Sequence, residues 1–102
     1  MADWVKVART DEVSEGRAKR VEAQGQRLAL ARVDGQVYAV QDLCTHDNGP
    51  LGDGEVIGET IECPRHGARF DVKTGRPVTL PAVVPVKTFP VKTEGDEIWV
   101  QL

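Results

Sequence analysis

Cysteine, histidine and aromatic side chains are scarce in this chain, and long apolar runs are missing altogether. Two cysteines among 102 residues cannot build the dense disulfide framework of a small secreted domain. The N-terminus, Met1-Ala2-Asp3-Trp4-Val5-Lys6, has neither the basic stretch nor the apolar core of a secretory signal, so a cytoplasmic protein with reduced thiols is expected. No run is long enough to cross a bilayer, which argues against a membrane partner. Thirteen basic against 16 acidic residues leave a net charge of −3, so the clustered positive charge that a nucleic-acid partner needs is absent. A phosphate-binding Gly-Lys-Ser or Gly-Lys-Thr is also missing. The length, the 40% hydrophobic content and the lack of repeats or linkers suit one domain over residues 1–102.

What is present reads as β-structure. Apolar and polar residues alternate over short stretches bounded by Gly, Asp or Pro, and helical periodicity is hard to find. Residues 26–33 and 36–41 flank Asp34-Gly35, a pair suited to a two-residue hairpin. Further strands are expected near 4–8, 18–23, 55–62, 69–72, 86–89, 91–94 and 97–102, with a turn at Gly95-Asp96. Regular spacing of this kind predicts an all-β antiparallel sandwich or barrel-like fold. Residues 43–54 and 63–68 read as irregular loops, and the three prolines of 76–85 deny that stretch a central strand role. Trp4, Trp99, Tyr38 and Phe89 read as core-filling aromatics.

The two loops hold every cysteine and histidine: Cys44-Thr45-His46, sixteen residues, then Cys63-Pro64-Arg65-His66. Each motif offers one thiolate and one imidazole at a spacing that lets both converge on one centre. Two such loops can hold a binuclear 2Fe-2S cluster, with cysteines on one iron and histidines on the other. The same four residues also form an ordinary tetrahedral zinc set, so a zinc-stabilised interaction module is the competing reading. Gly49, Gly52, Gly54 and Gly67 suit tight loops that bring backbone close to sulfur.

With its ligand motifs, Gly67 after the second histidine, Phe70-Asp71, Thr74-Gly75 and a proline loop at Leu80-Pro81, the sequence resembles the Rieske-type ferredoxins of bacterial ring-hydroxylating dioxygenase systems. The resemblance covers most of the chain. It implies a Rieske fold with a small cluster-binding subdomain at about 43–72 set in a β-sandwich base. It implies one 2Fe-2S cluster held by Cys44, His46, Cys63 and His66, with the cysteines on an inner iron and the histidines on an outer one. It also implies a monomeric carrier that moves one electron at a time from a flavoprotein reductase to a terminal oxygenase and is not itself an enzyme. A small Rieske subunit of a nitrite reductase is the alternative within the same family.

Departures from other Rieske branches sharpen that expectation. Respiratory members carry an extra cysteine in each cluster loop, where this chain has Gly49 and Arg65, so no bridging disulfide can form. They also offer a Ser and a Tyr hydroxyl to the cluster sulfurs, where this chain has Ala68 and Phe70. Fewer hydrogen bonds to sulfur favour the oxidised state, which places the potential toward the low end of the roughly −150 to +300 mV Rieske range. An oxygenase needs two further histidines for a mononuclear iron, and the cluster would use both that the chain has. Leu43, Pro50 and Leu80 are candidates to shield the centre from water. Residues 47–62 hold five acids and no base while the second loop offers Arg65 and Arg69, so a docking face of mixed sign is expected.

Overall fold

The computed structural model describes residues 4–43, 51–52, 54–64, 67–79 and 84–102. Local turn chemistry sets the first half of the chain. After β1 (Trp4–Arg9) and a short 3-10 turn (Thr10–Glu12), β2 (Lys19–Ala23), β3 (Gln26–Val33) and β4 (Gln36–Gln41) form an antiparallel meander. Asp34 and Gly35 take φ values of 52° and 80°, the positive pair of a two-residue turn whose twist matches its strands. Gln24 and Gly25 do the same between β2 and β3, a turn that a glutamine does not advertise.

The next strands are shorter: β5 (Val56–Ile57), β6 (Thr60–Glu62), β7 (Arg69–Asp71), β8 (Pro77–Thr79) and β9 (Thr88–Phe89). The final hairpin pairs β10 (Val91–Glu94) with β11 (Glu97–Gln101) around the expected Gly95-Asp96 turn. Residues 55–62 are therefore not one strand. They fold back at Gly58-Glu59, where the Thr60 hydroxyl donates to the Ile57 carbonyl at 2.7 Å, so that Val56 faces Ile61 in the β5–β6 ladder. Pro77–Thr79, expected to be irregular, forms a strand at the outer edge of its sheet, where a residue without an N–H is tolerated.

Three antiparallel sheets result, with orders β1-β11-β10, β2-β3-β4-β9 and β5-β6-β7-β8. Strand β3 is the wall between two cores. Leu28 and Leu30 point into a base core with Ala8, Val13, Val37, Ala39, Phe89, Ile98 and Val100. The intervening Ala29, Ala31 and Val33 point the other way, onto Leu51, Val56, Ile61, Cys63, Ala68, Phe70, Val72 and Val86. Period-two alternation explains both faces, and burial on both sides explains why the middle of the strand, residues 28–31, reads Leu-Ala-Leu-Ala. The third sheet runs from Val56 to Thr79. Phe89 belongs to the base core, but Trp4 lies at the surface at 37% exposure, beside a lysine rather than inside. Among the described residues no helix is long and apolar enough to cross a membrane.

Candidate metal centre

The second motif begins where β6 ends. Cys63 is a free thiol with no exposed surface, packed in the apolar cluster with Ile61, Ala68 and Phe70. Its N–H donates to the Ala68 carbonyl at 2.7 Å, and its carbonyl accepts from Gly67 N–H at 3.0 Å. These bonds tie Cys63 to Gly67 and Ala68, with Gly67 at φ +75°, a left-handed conformation that suits glycine. Glu62 and Arg69 face each other beneath the loop and pair at 3.1 Å, so β6 and β7 are pinned just before the ligand turn. His66 and Arg65, between Pro64 and Gly67, lie outside the described residues.

The first motif, Cys44 and His46, also lies outside them, as do Gly49, Pro50, Leu80 and Pro81. Its flanks are described. Asp42, just after β4, is a buried carboxylate whose Oδ1 accepts from the backbone N–H of Leu51 at 2.8 Å and of Gly52 at 2.6 Å. Leu51, fully buried, shares the apolar cluster with Cys63. Gly54 N–H donates to the Leu51 carbonyl at 2.9 Å, and Gly54 itself lies against the Glu62 backbone. The exit of the first motif thus packs on the strand that delivers the second. Of the shielding candidates, Leu43 is half-buried, and Phe70, Leu51 and Val72 supply apolar cover that the sequence had not marked for that task.

Two of the acids between the motifs are paired. Glu62 is taken by Arg69, and Glu59 pairs with Lys73, whose ammonium that hydrogen bond holds above its ordinary range. Among the described residues no three His, Cys, Asp or Glu side chains form a metal-binding group, and Cys63 is the one residue of the four-ligand set that is described. What is seen fits a 2Fe-2S centre nonetheless. Cys63 is a free thiol in an apolar cluster, and soft thiolate with imidazole donors suits iron in mixed ligation. The same donors in number and kind would satisfy zinc, so the choice between metals needs a further observation. Sequence reasoning marks Gly54 as one of four glycines suited to tight loops near sulfur, but it does not single out Asp42, which shows only as a polar residue two positions before Cys44.

Comparison with known proteins supplies that observation. Residues 3–90 match the family model described as the Rieske 2Fe-2S domain. The ferredoxin component of the naphthalene 1,2-dioxygenase system of Pseudomonas aeruginosa is 41% identical over 99 residues, covering 97% of this chain and 95% of that protein. The ferredoxin of Sphingomonas yanoikuyae B1 superposes with a TM-score of 0.91 at 35% identity, covering 98% of this chain and 99% of its own. A ferredoxin solved in complex with the reduced oxygenase of carbazole 1,9a-dioxygenase gives a TM-score of 0.88 at 39% identity, over 96% of this chain and 92% of that one.

Proposed function

Because this chain belongs to the Rieske 2Fe-2S family, we propose that it takes electrons singly from a flavoprotein reductase and delivers them to the terminal oxygenase of a ring-hydroxylating dioxygenase system. It is a ferredoxin component, an electron carrier and not a catalyst. The observation that carries this reading is near end-to-end identity of 41% with a protein named for that role. It places the carrier reading ahead of a nitrite reductase subunit and of a zinc module. The carbazole dioxygenase ferredoxin captured on its oxygenase supports the choice of oxygenase as electron acceptor. The reductase as donor, a monomeric state and a cytoplasmic setting complete the proposal.

Within it, Cys44, His46, Cys63 and His66 would hold the cluster, in a cluster unit of about 43–72. When bound, the cluster supplies reversible one-electron redox change without altering an organic substrate. The chain supplies the surroundings. Leu51, Phe70 and Val72 exclude water beside Cys63, and exclusion of water raises the cost of the more negative reduced state. Ala68 and Phe70 bring no hydroxyl to sulfur, and the Cys63 N–H is committed to the Ala68 carbonyl. Each of these keeps the potential low, as delivery from a flavin requires.

The test is iron and acid-labile sulfide content together with the EPR spectrum of the dithionite-reduced protein. Two irons and two sulfides per chain with the lowered average g value of histidine ligation are expected. One zinc without sulfide, persisting after anaerobic reconstitution with iron, would leave a structural metal module instead.

A further inference from the structure

Asp42 is the one polar side chain buried in the described structure, and the electron-carrier reading gives it no task. Such a carboxylate is costly unless its surroundings satisfy it. Here Oδ1 accepts two backbone N–H groups, from Leu51 and Gly52. Arg20 Nε of β2 approaches Oδ2 at 3.2 Å, yet Oδ2 accepts no hydrogen bond, so this contact is a charge pairing and not an aligned bond. Gly52 and Arg20 also lie against each other: a Cβ on Gly52 would fall 2.7 Å from Arg20 Cβ. The chain therefore leaves β4 at Asp42 and returns at Leu51 against a single carboxylate, backed by β2. Residues 43–50, with Cys44 and His46 among them, lie between these two ends.

We propose that Asp42 is a positioning residue that clamps the base of the first ligand segment, holding Cys44 and His46 in range of the second pair. The carboxylate suits the task better than a hydroxyl because its charge strengthens both bonds it accepts from the amides. It acts through the backbone and does not touch the metal. Arg20 sets the carboxylate's orientation and compensates its charge at the buried site. The proposal rests on the ligand assignment of the preceding subsection.

The experiment compares holoprotein from the wild type, Asp42→Asn and Asp42→Ala. The rate of cluster loss to excess iron chelator is read from the visible absorbance, the midpoint potential by voltammetry, and amide hydrogen exchange at Leu51 and Gly52 against Leu28 and Leu30 of β3. In Asp42→Ala, cluster loss is expected to rise about 10- to 100-fold, the range typical of lost supporting partners. Its potential should shift, and exchange at Leu51 and Gly52 should accelerate while Leu28 and Leu30 stay protected. Asp42→Asn keeps an acceptor oxygen and should restore cluster retention to within about threefold of wild type.

Cluster loss from Asp42→Ala at the wild-type rate, or an Asn variant as impaired as the Ala variant, would overturn the clamp. So would equal acceleration of exchange in β3, which would mean general destabilisation. If Asp42→Ala does not fold, Asp42→Asn decides: protection retained at Leu51 and Gly52 supports the clamp, and free-peptide exchange there refutes it. A wild-type protein that binds no iron and sulfide would instead sink the ligand assignment itself.

Discussion

Gly54 lies so close to Glu62 that a Cβ built on it would fall 1.9 Å from the Glu62 carbonyl oxygen. That contact joins the two halves of the candidate centre through backbone alone, because Gly54 follows the first motif and Glu62 immediately precedes Cys63. Gly54→Ala must push the two segments apart. The expected outcome is a loss of about 1–3 kcal/mol of stability in urea unfolding, typical of forced overpacking. Iron and sulfide per chain should fall below two in the same preparation. Full cluster content with unchanged unfolding would mean that the contact is readily relieved.

Ala68 sits buried beside Cys63, and its carbonyl receives the Cys63 N–H. Ala68→Ser adds a hydroxyl close to the proposed ligand Cys63, where it could reach a cluster sulfur. A hydrogen bond preferring the reduced state by about 1 kcal/mol corresponds to a rise on the order of 40 mV for a one-electron couple. Voltammetry checks this, and a potential that does not rise would show that the hydroxyl turns elsewhere.

Replacement of the proposed ligand His66 by cysteine should retain some metal and lower the potential, since a thiolate donates more charge to iron than a neutral imidazole. The average g value should also move toward that of all-cysteine clusters. A spectrum and potential identical to wild type would remove His66 from the ligand set.

On the outer face of the base sheet, Lys92 holds its ammonium 4.7 Å from the Trp4 ring centre and 5.8 Å from that of Trp99. Lys92 and Trp99 are direct partners in the β10–β11 register, so the contact is fixed by strand pairing. Lys92→Ala is expected to cost about 0.5–1 kcal/mol of stability. Tryptophan fluorescence in urea reads both the stability loss and the change in ring environment, and the cluster potential should stay constant. A changed potential would indicate coupling between this face and the metal centre.

Much of the fold was legible because its turns are written in local chemistry. Asp34-Gly35 and Gly95-Asp96 announce hairpins by residue type, and alternation around them gives strands whose ends the structure moves by a residue or two. Gln24-Gly25 was missed because glutamine is not a usual left-handed residue, and its φ of 50° is imposed by the β2–β3 pairing. Gly58 sat inside an apolar stretch that reads as one strand until β6 is seen to fold back on β5. Pro77 showed only that its segment could not be central, and whether it would pair at an edge depended on β7. Trp4 was read as core from its chemistry, but its place in β1 puts it on the sheet face away from the apolar core.

The candidate ligands were legible for a different reason. Cysteine and histidine are rare here, and their spacing alone brings them into two short segments. What could not be read was their support. Asp42 meets Leu51 and Gly52 across nine and ten positions, and Gly54 meets Glu62 only once β5 and β6 have turned back. Contacts of that kind are products of topology and leave no pattern in residue type.

The double burial of β3 has a consequence for how the molecule comes apart. Leu28 and Leu30 belong to one core and Ala29 and Ala31 to the other, so neither layer can open without exposing one side of the same eight-residue strand. Melting is then a shared event of base and metal-binding layer, with a single transition seen from either side.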